Sequence, residues 1–152
     1  MTMSHASEDG SVDVSIVLPV FNEKGHLDEE IERIRTTMEA SKYSYEIIVV
    51  DDGSTDGSGD RLRDLEGIRL LQFATNRGSG SARKYGTQAA SGRIVVWTDV
   101  DMTYPNDAIP ELVDQISGVD QVVGARTSEA GTVRLLRRPA KWLIRRLASY
   151  LT

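Results

Sequence analysis

Ile47-Ile48-Val49-Val50 runs into Asp51-Asp52-Gly53-Ser54, and Ile94-Val95-Val96-Trp97-Thr98 runs into Asp99-Val100-Asp101. Each is an apolar, β-branched stretch that stops on a pair of carboxylates. In open α/β sheets, ligands bind in the crevice beyond the carboxyl ends of the strands. Two such endings therefore point to one acidic crevice. Carboxylates there accept hydrogen bonds from the ring and sugar of a nucleotide, or hold a divalent cation against its phosphates. Residues i and i+2 of an extended chain point the same way, so Asp99 and Asp101 can face one ion. Mg²⁺ and Mn²⁺ favour such oxygen ligands. The plainer alternative at both places is a strand-ending turn in which Asp caps the next helix.

A third stretch, Asn76-Arg77-Gly78-Ser79-Gly80-Ser81-Ala82-Arg83, is a glycine-serine loop opening a helix. Helix N-termini present unpaired N–H groups and suit phosphates, and Arg77, Arg83 and Lys84 add positive charge. By itself such a loop is usually only a turn. No Gly-Lys-Ser/Thr follows, so it is not a phosphate-binding P-loop, and it does not follow the first strand as a dinucleotide fingerprint does. The only histidines are His5 and His26. One lies in a polar lead-in and the other at a helix opening, which argues against a Ser-His-Asp triad or a histidine zinc site.

The elements that must position these residues alternate strand and helix five strands deep, a pattern that favours a parallel sheet with helices on its faces. Strands are expected at 14–20, 45–50, 68–73, 93–98 and 121–125. Helices are expected at 24–40, 61–65, 81–90 and 107–116. In the first helix Leu27, Ile31, Ile34 and Met38 recur at helical spacing.

A chain of 152 residues supports one domain with a single core. Residues 1–12 read as a disordered lead-in with no apolar signal segment. No membrane-length apolar run occurs, and the absence of cysteine excludes disulfides and thiolate metal sites. Residues 1–125 carry 11 Lys and Arg against 22 Asp and Glu, whereas residues 126–152 carry 7 against 1. The acidic body argues against nucleic acid as a partner. From residue 131 the pattern is that of a basic amphipathic helix, with Val133, Leu136, Ala140, Leu143, Leu147 and Tyr150 on one stripe. Such a helix either lies at an anionic membrane surface, through residues 134–151, or packs on protein with its arginines solvated.

Together the motifs resemble the inverting family 2 glycosyltransferases of GT-A fold, in particular the polyprenyl-phosphate, dolichyl-phosphate-mannose-synthase-like branch. The matching stretches are Val17-Leu18-Pro19-Val20-Phe21-Asn22-Glu23, Ile48 to Asp56, Asn76-Arg77-Gly78 with Ala82-Arg83 and Gly86, Asp99-Val100-Asp101, and Val123-Gly124-Ala125-Arg126. They fall in the family's order over residues 13–126. The resemblance implies a mostly parallel α/β sheet with helices on both faces, and a nucleotide-sugar-binding domain over 13–130. It also implies that 131–152 begins an acceptor-binding half that this chain lacks, so no general base is assignable. By the same resemblance Pro19, Phe21 and Glu23 line the nucleotide pocket, Asp51 and Asp52 bind the nucleoside, Arg83 lies near the diphosphate, and Asp99 and Asp101 hold Mg²⁺ or Mn²⁺. The expected partners are a nucleotide-sugar and a polyprenyl-phosphate acceptor, with a saccharide hydroxyl as the alternative. A cytoplasmic place, at the inner face of the membrane, goes with that acceptor. Lys84 departs from the family, where many members carry Asn.

Two other readings fit less of the chain. A nucleotidyltransferase would show a Gly-rich signature after the first strand, where Pro19-Val20-Phe21-Asn22-Glu23 stands. A phosphorelay receiver would carry its acidic pair after the first strand and a Lys at the last, where Ala125-Arg126 stands. A nucleotide-binding fragment without activity is the remaining alternative.

Overall fold

Seven residues, Val14–Val20, form strand β1, and all seven are buried in the computed structural model, which describes residues 11–125. A strand covered on both faces must be apolar on both, and its one polar member, Ser15, donates its hydroxyl to Glu46. β2 (Tyr45–Asp51) pairs with β1 in parallel along its whole length, from Val14 opposite Tyr45 to Val20 opposite Asp51. β3 (Arg69–Gln72) lies outside β2, and β4 (Ile94–Trp97) lies on the other side of β1. All pairings are parallel and the spatial order is β3-β2-β1-β4. The chain steps outward twice and then crosses back, so the order reverses between β1 and β4. That reversal is the topological switch point at which open α/β sheets hold ligands.

Pro19 is tolerated in this central strand for a local reason. The Val17 carbonyl accepts from the Thr98 N–H on the β4 side, and the Val20 carbonyl accepts from the Asp52 N–H on the β2 side. Alternation along the strand aims the Pro19 nitrogen toward β4. The β4 ladder stops at Val17 opposite Trp97, so the missing donor costs no rung.

Helix α1 (Leu27–Glu39) buries Leu27, Ile31, Ile34 and Met38, as their spacing predicts. Each burial stabilises the fold by roughly 1.5–3 kcal/mol. These side chains join Ile16, Leu18, Ile47 and Val49 from one face of the sheet, together with Leu62 of α2 (Ser58–Arg63). Ile109 and Val113 of α4 (Ile109–Asp114), which follows a 3₁₀ turn at Asn106–Ala108, complete that core. On the opposite face α3 (Ser79–Ala89) sets Ala82 against Val17, Ile48 and Val50. Gly86 permits this close approach, because a Cβ there would lie 2.4 Å from Val17 Cγ1. The expected parallel sheet with helices on both faces is therefore present.

The expected fifth strand is not. Residues 121–125 have no regular structure, and Val123 is 73% exposed. Two adjacent valines between Gln121 and Gly124 are too short an apolar run to hold a buried strand. The chain also divides into two compact units inside this run, residues 1–122 and 123–152, and every described helix and strand lies in the first. The last helix is shorter than expected at both ends: the 3₁₀ turn takes its first residues, and residues 115–118 form a turn. The lead-in as far as residue 10, Arg126 and the basic helix from residue 131 lie outside the described residues.

Candidate functional site

The loops that follow β1 and β2 are sewn to each other at the carboxyl edge of the sheet. The Asn22 N–H donates to Ser54 Oγ (3.0 Å), and Asn22 Oδ1 accepts from the Thr55 N–H (2.8 Å). The Glu23 N–H donates to Ser58 Oγ (3.1 Å) and the Lys24 N–H to Asp56 Oδ2 (3.2 Å). Asn22 takes a left-handed φ of 59°, which Asn tolerates better than most residues. The stitching leaves Phe21 44% exposed at the edge, Glu23 half-buried beside it, and Pro19 buried in the strand behind. The Ser58 hydroxyl, helped by the backbone N–H groups of Ser58 and Lys24, holds the Asp56 carboxyl below the ordinary aspartate range. By residue type alone Ser54, Thr55, Asp56 and Ser58 read as a polar turn, and nothing in the sequence points to their bonds with the loop after β1.

Asp51 and Asp52 are 4% and 2% exposed. A buried carboxylate must be hydrogen-bonded to be tolerable, and both are. Asp51 accepts from the Ser54 N–H (3.0 Å) and from Gln72 Nε2 of β3 (3.1 Å). Asp52 Oδ1 accepts from the Arg77 N–H (2.7 Å), which fixes the loop ahead of α3. Gly53, at φ 75°, turns the chain directly after them, and a Cβ there would lie 2.7 Å from the carbonyl carbon of Thr75. The Arg77 guanidinium lies 4.7 Å from the Phe73 ring centre, and Phe73 packs against Tyr85. A polar hollow of about 390 Å³ opens here, lined among others by Asp51, Ser54, Arg63, Gln72 and Phe73.

The second acidic ending is built differently. Val100 is buried in the core while Asp99 is half-buried and Asp101 exposed, so the two carboxylates flank an inward side chain. Asp99 Oδ1 accepts from Arg83 Nη2 of α3 at 2.7 Å. Asp101 Oδ1 accepts from the Thr103 N–H (3.0 Å) and hydroxyl (2.6 Å). Beneath them Asn106, only 2% exposed, bonds to Thr98 Oγ1 and to Glu30 Oε1 of α1. Neither Glu30 nor Asn106 carries a signal in the sequence that singles it out.

α3 ties the two endings together. Its leading loop hangs on Asp52 and its Arg83 side chain on Asp99. β2 and β4 both flank β1, so their carboxyl ends stand about 9–10 Å apart, two strand spacings. Asp51, Asp52, Asp99 and Arg83 thus gather at one edge of the sheet. No side chain caps α3; the Ser81 and Ala82 N–H groups return to the Gly78 carbonyl.

Among the described residues no three His, Cys, Asp or Glu side chains group to form a metal cage. Two outward carboxylates with oxygen donors suit a cation that takes only one or two protein ligands and completes its shell with substrate phosphate and water, as Mg²⁺ does. The donor set of Asp99 and Asp101 fits such an ion.

A sequence profile of glycosyl transferase family 2 matches residues 15–150. An undecaprenyl-phosphate 4-deoxy-4-formamido-L-arabinose transferase of Aeromonas hydrophila is 36% identical over 116 residues, spanning 73% of this chain and 36% of that protein. A dolichol-phosphate mannosyltransferase of Pyrococcus furiosus is 32% identical over 124 residues, spanning 79% and 35%. Among solved structures, a mannosyltransferase from Pyrobaculum calidifontis in complex with GDP-Man and Mn²⁺ superposes with a TM-score of 0.59 at 28% identity, over 70% of this chain and 33% of that one. The chain therefore spans about a third of the length of these relatives.

Proposed function

This chain belongs to glycosyl transferase family 2, and from that premise we propose that residues 13–130 are the donor-binding part of a sugar transferase using a nucleotide-sugar and a polyprenyl phosphate. The observation that carries the reading is the yoking of both acidic strand ends by α3, through Asp52 to the Arg77 N–H and through Asp99 to Arg83. Phe21 and Glu23, on the loop stitched to the one that follows β2, take the nucleoside with Asp51 and Asp52, and the buried Pro19 sets the edge from which they project. Arg83, bonded to Asp99, would supply positive charge to the diphosphate.

Asp99 and Asp101 would hold Mg²⁺ or Mn²⁺. When bound, the ion supplies positive charge against the diphosphate, whose negative charge grows as it leaves. In the transfer an acceptor oxygen forms its bond to the anomeric carbon as the bond from that carbon to the diphosphate breaks on the opposite face. The leaving nucleoside diphosphate takes the electron pair, and the configuration inverts. A phosphate acceptor is already anionic at neutral pH, so it needs no general base.

The relatives named for undecaprenyl phosphate and dolichol phosphate favour a lipid phosphate over a saccharide hydroxyl. Among the described residues no helix is long and apolar enough to cross a membrane. We assign peripheral contact with the inner membrane face to the basic segment 134–151, with 131–152 opening toward an acceptor-binding part. Removing residues 141–152 is expected to weaken binding to anionic liposomes, and undiminished binding would retire that contact.

The donor reading is tested by thermal shift with GDP, UDP and their sugars, with and without Mn²⁺. Binding to the folded state raises the melting temperature by mass action, so the right nucleotide raises it more with metal than without. If no nucleoside diphosphate gives a metal-dependent rise, the reading fails.

A further inference from the structure

We propose that Glu30 and Asn106 are positioning residues that fix the loop carrying Asp99 and Asp101, and that their buried contact sets how well this loop takes a metal–diphosphate. The inference rests on the donor-site reading and adds to it a part of the machinery on the far side of the loop from the ligand.

The Asn106 side chain, at the loop's far end, reaches back to the residues that open it. Its Oδ1 accepts from the Thr98 hydroxyl, just before Asp99. Its Nδ2 donates to Glu30 Oε1 and, at 3.4 Å, to the Asp99 backbone carbonyl. One amide thus ties the end of β4, the backbone of Asp99 and helix α1. Thr98, Asn106 and Glu30 are 6%, 2% and 0% exposed, so water competes little for these bonds.

The arrangement is expensive. Glu30 Oε2 is buried without a hydrogen-bond partner, and the Arg33 guanidinium lies 3.6 Å from the other oxygen while also pairing with Asp107. A partly satisfied buried carboxylate is worse for stability than an apolar pair of similar shape. Good packing alone would place leucine-like side chains here. What the polar pair supplies instead is direction, since a hydrogen-bonded amide holds the Asp99 carbonyl and the Thr98 hydroxyl at fixed angles. The loop needs such an anchor, for Met102 within it takes a left-handed φ of 60°. A non-glycine residue persists in that region only where its surroundings over-determine it.

Residues behind metal ligands that orient them are commonly worth 10–100-fold in metal affinity. The decisive variant replaces both partners with apolar groups, Glu30→Leu with Asn106→Leu. It removes the unpartnered carboxylate, so its melting temperature is expected at or above that of the parent chain. Calorimetry with GDP and with UDP, each with and without Mn²⁺, is expected to show the Mn²⁺-dependent gain in affinity cut by about tenfold or more. Metal-free affinity stays unchanged, and amide exchange over residues 99–104 quickens while that of β1 does not. Thr98→Val, which removes only the hydroxyl, moves the same quantities by a smaller factor and carries the test if the double variant does not fold. A stable variant that keeps the full Mn²⁺ gain overturns the inference and leaves the donor reading standing. A parent chain with no Mn²⁺ gain for either nucleotide overturns that reading and this inference together.

Discussion

The two acidic strand ends share one sequence grammar and have opposite physical characters. At the end of β2, Asp51 and Asp52 are buried and accept hydrogen bonds from Ser54, Gln72 and Arg77. At the end of β4, Asp99 is half-buried against Arg83, and Asp101 is exposed and bonded only within its own turn among the contacts resolved for it. The first pair holds loops in place; the second stands at the rim. A pair of carboxylates after an apolar strand is therefore not one device, and its role depends on how many N–H groups the fold aims at it.

If β2 ends in a rigid platform, the largest loss of stability belongs to Gly53→Ala. A Cβ there meets backbone atoms of Thr75 and Asn76, and φ is positive. Strain and overpacking together should cost roughly 2–5 kcal/mol in urea unfolding. A cost under about 1 kcal/mol would show the platform to be soft.

Asp52→Ala comes next. It leaves the Arg77 N–H without its acceptor, a loss of about 1–3 kcal/mol, and should release the loop ahead of α3. Protease cleavage at Arg77, faster in the variant than in the parent chain, is the check on that release.

The rim should behave in the opposite way. Asp99→Asn gives up a half-exposed ion pair, so its stability cost is expected below about 1 kcal/mol, and Asp101→Asn costs less. Both should abolish the Mn²⁺-dependent gain for GDP or UDP while leaving the unfolding curve nearly in place. If Asp99→Asn unfolds the chain as readily as Asp52→Ala does, the distinction between platform and rim is false.

The smallest effect is a pH dependence located on the platform side. The folded-state pKa of Asp56 lies below its ordinary value, chiefly through the Ser58 hydroxyl. Its contribution to stability is therefore present above the ordinary aspartate range, about pH 4, and is lost as pH falls through the lower folded value. Asp56→Asn should lower stability slightly at neutral pH, where this contribution is present, and flatten the acid side of the profile below about pH 4, where parent and variant converge.

Much of this was legible from local pattern. The apolar runs located four strands, the 4-3-4 spacing located the buried face of α1, and the acid pairs marked the carboxyl ends of β2 and β4. The fifth strand misled because Val122 and Val123 look like a strand centre, while nothing around them extends the apolar run. The stitching of Asn22 to Thr55, and of Glu23 to Ser58, was hidden because Ser, Thr and Asp in a glycine-rich stretch read as a turn whatever they bond to.

By itself, the sequence determined the alternation of strand and helix, the parallel sheet it demands, and the placing of carboxylates at two strand ends, because these rest on periodicity within a few residues. Tertiary structure alone decided that β4 returns beside β1, that one acid pair is buried and the other exposed, and that Glu30 meets Asn106 across 76 residues of chain. Such outcomes depend on which groups arrive from distant segments to satisfy a buried donor or acceptor. No local pattern encodes that arrival.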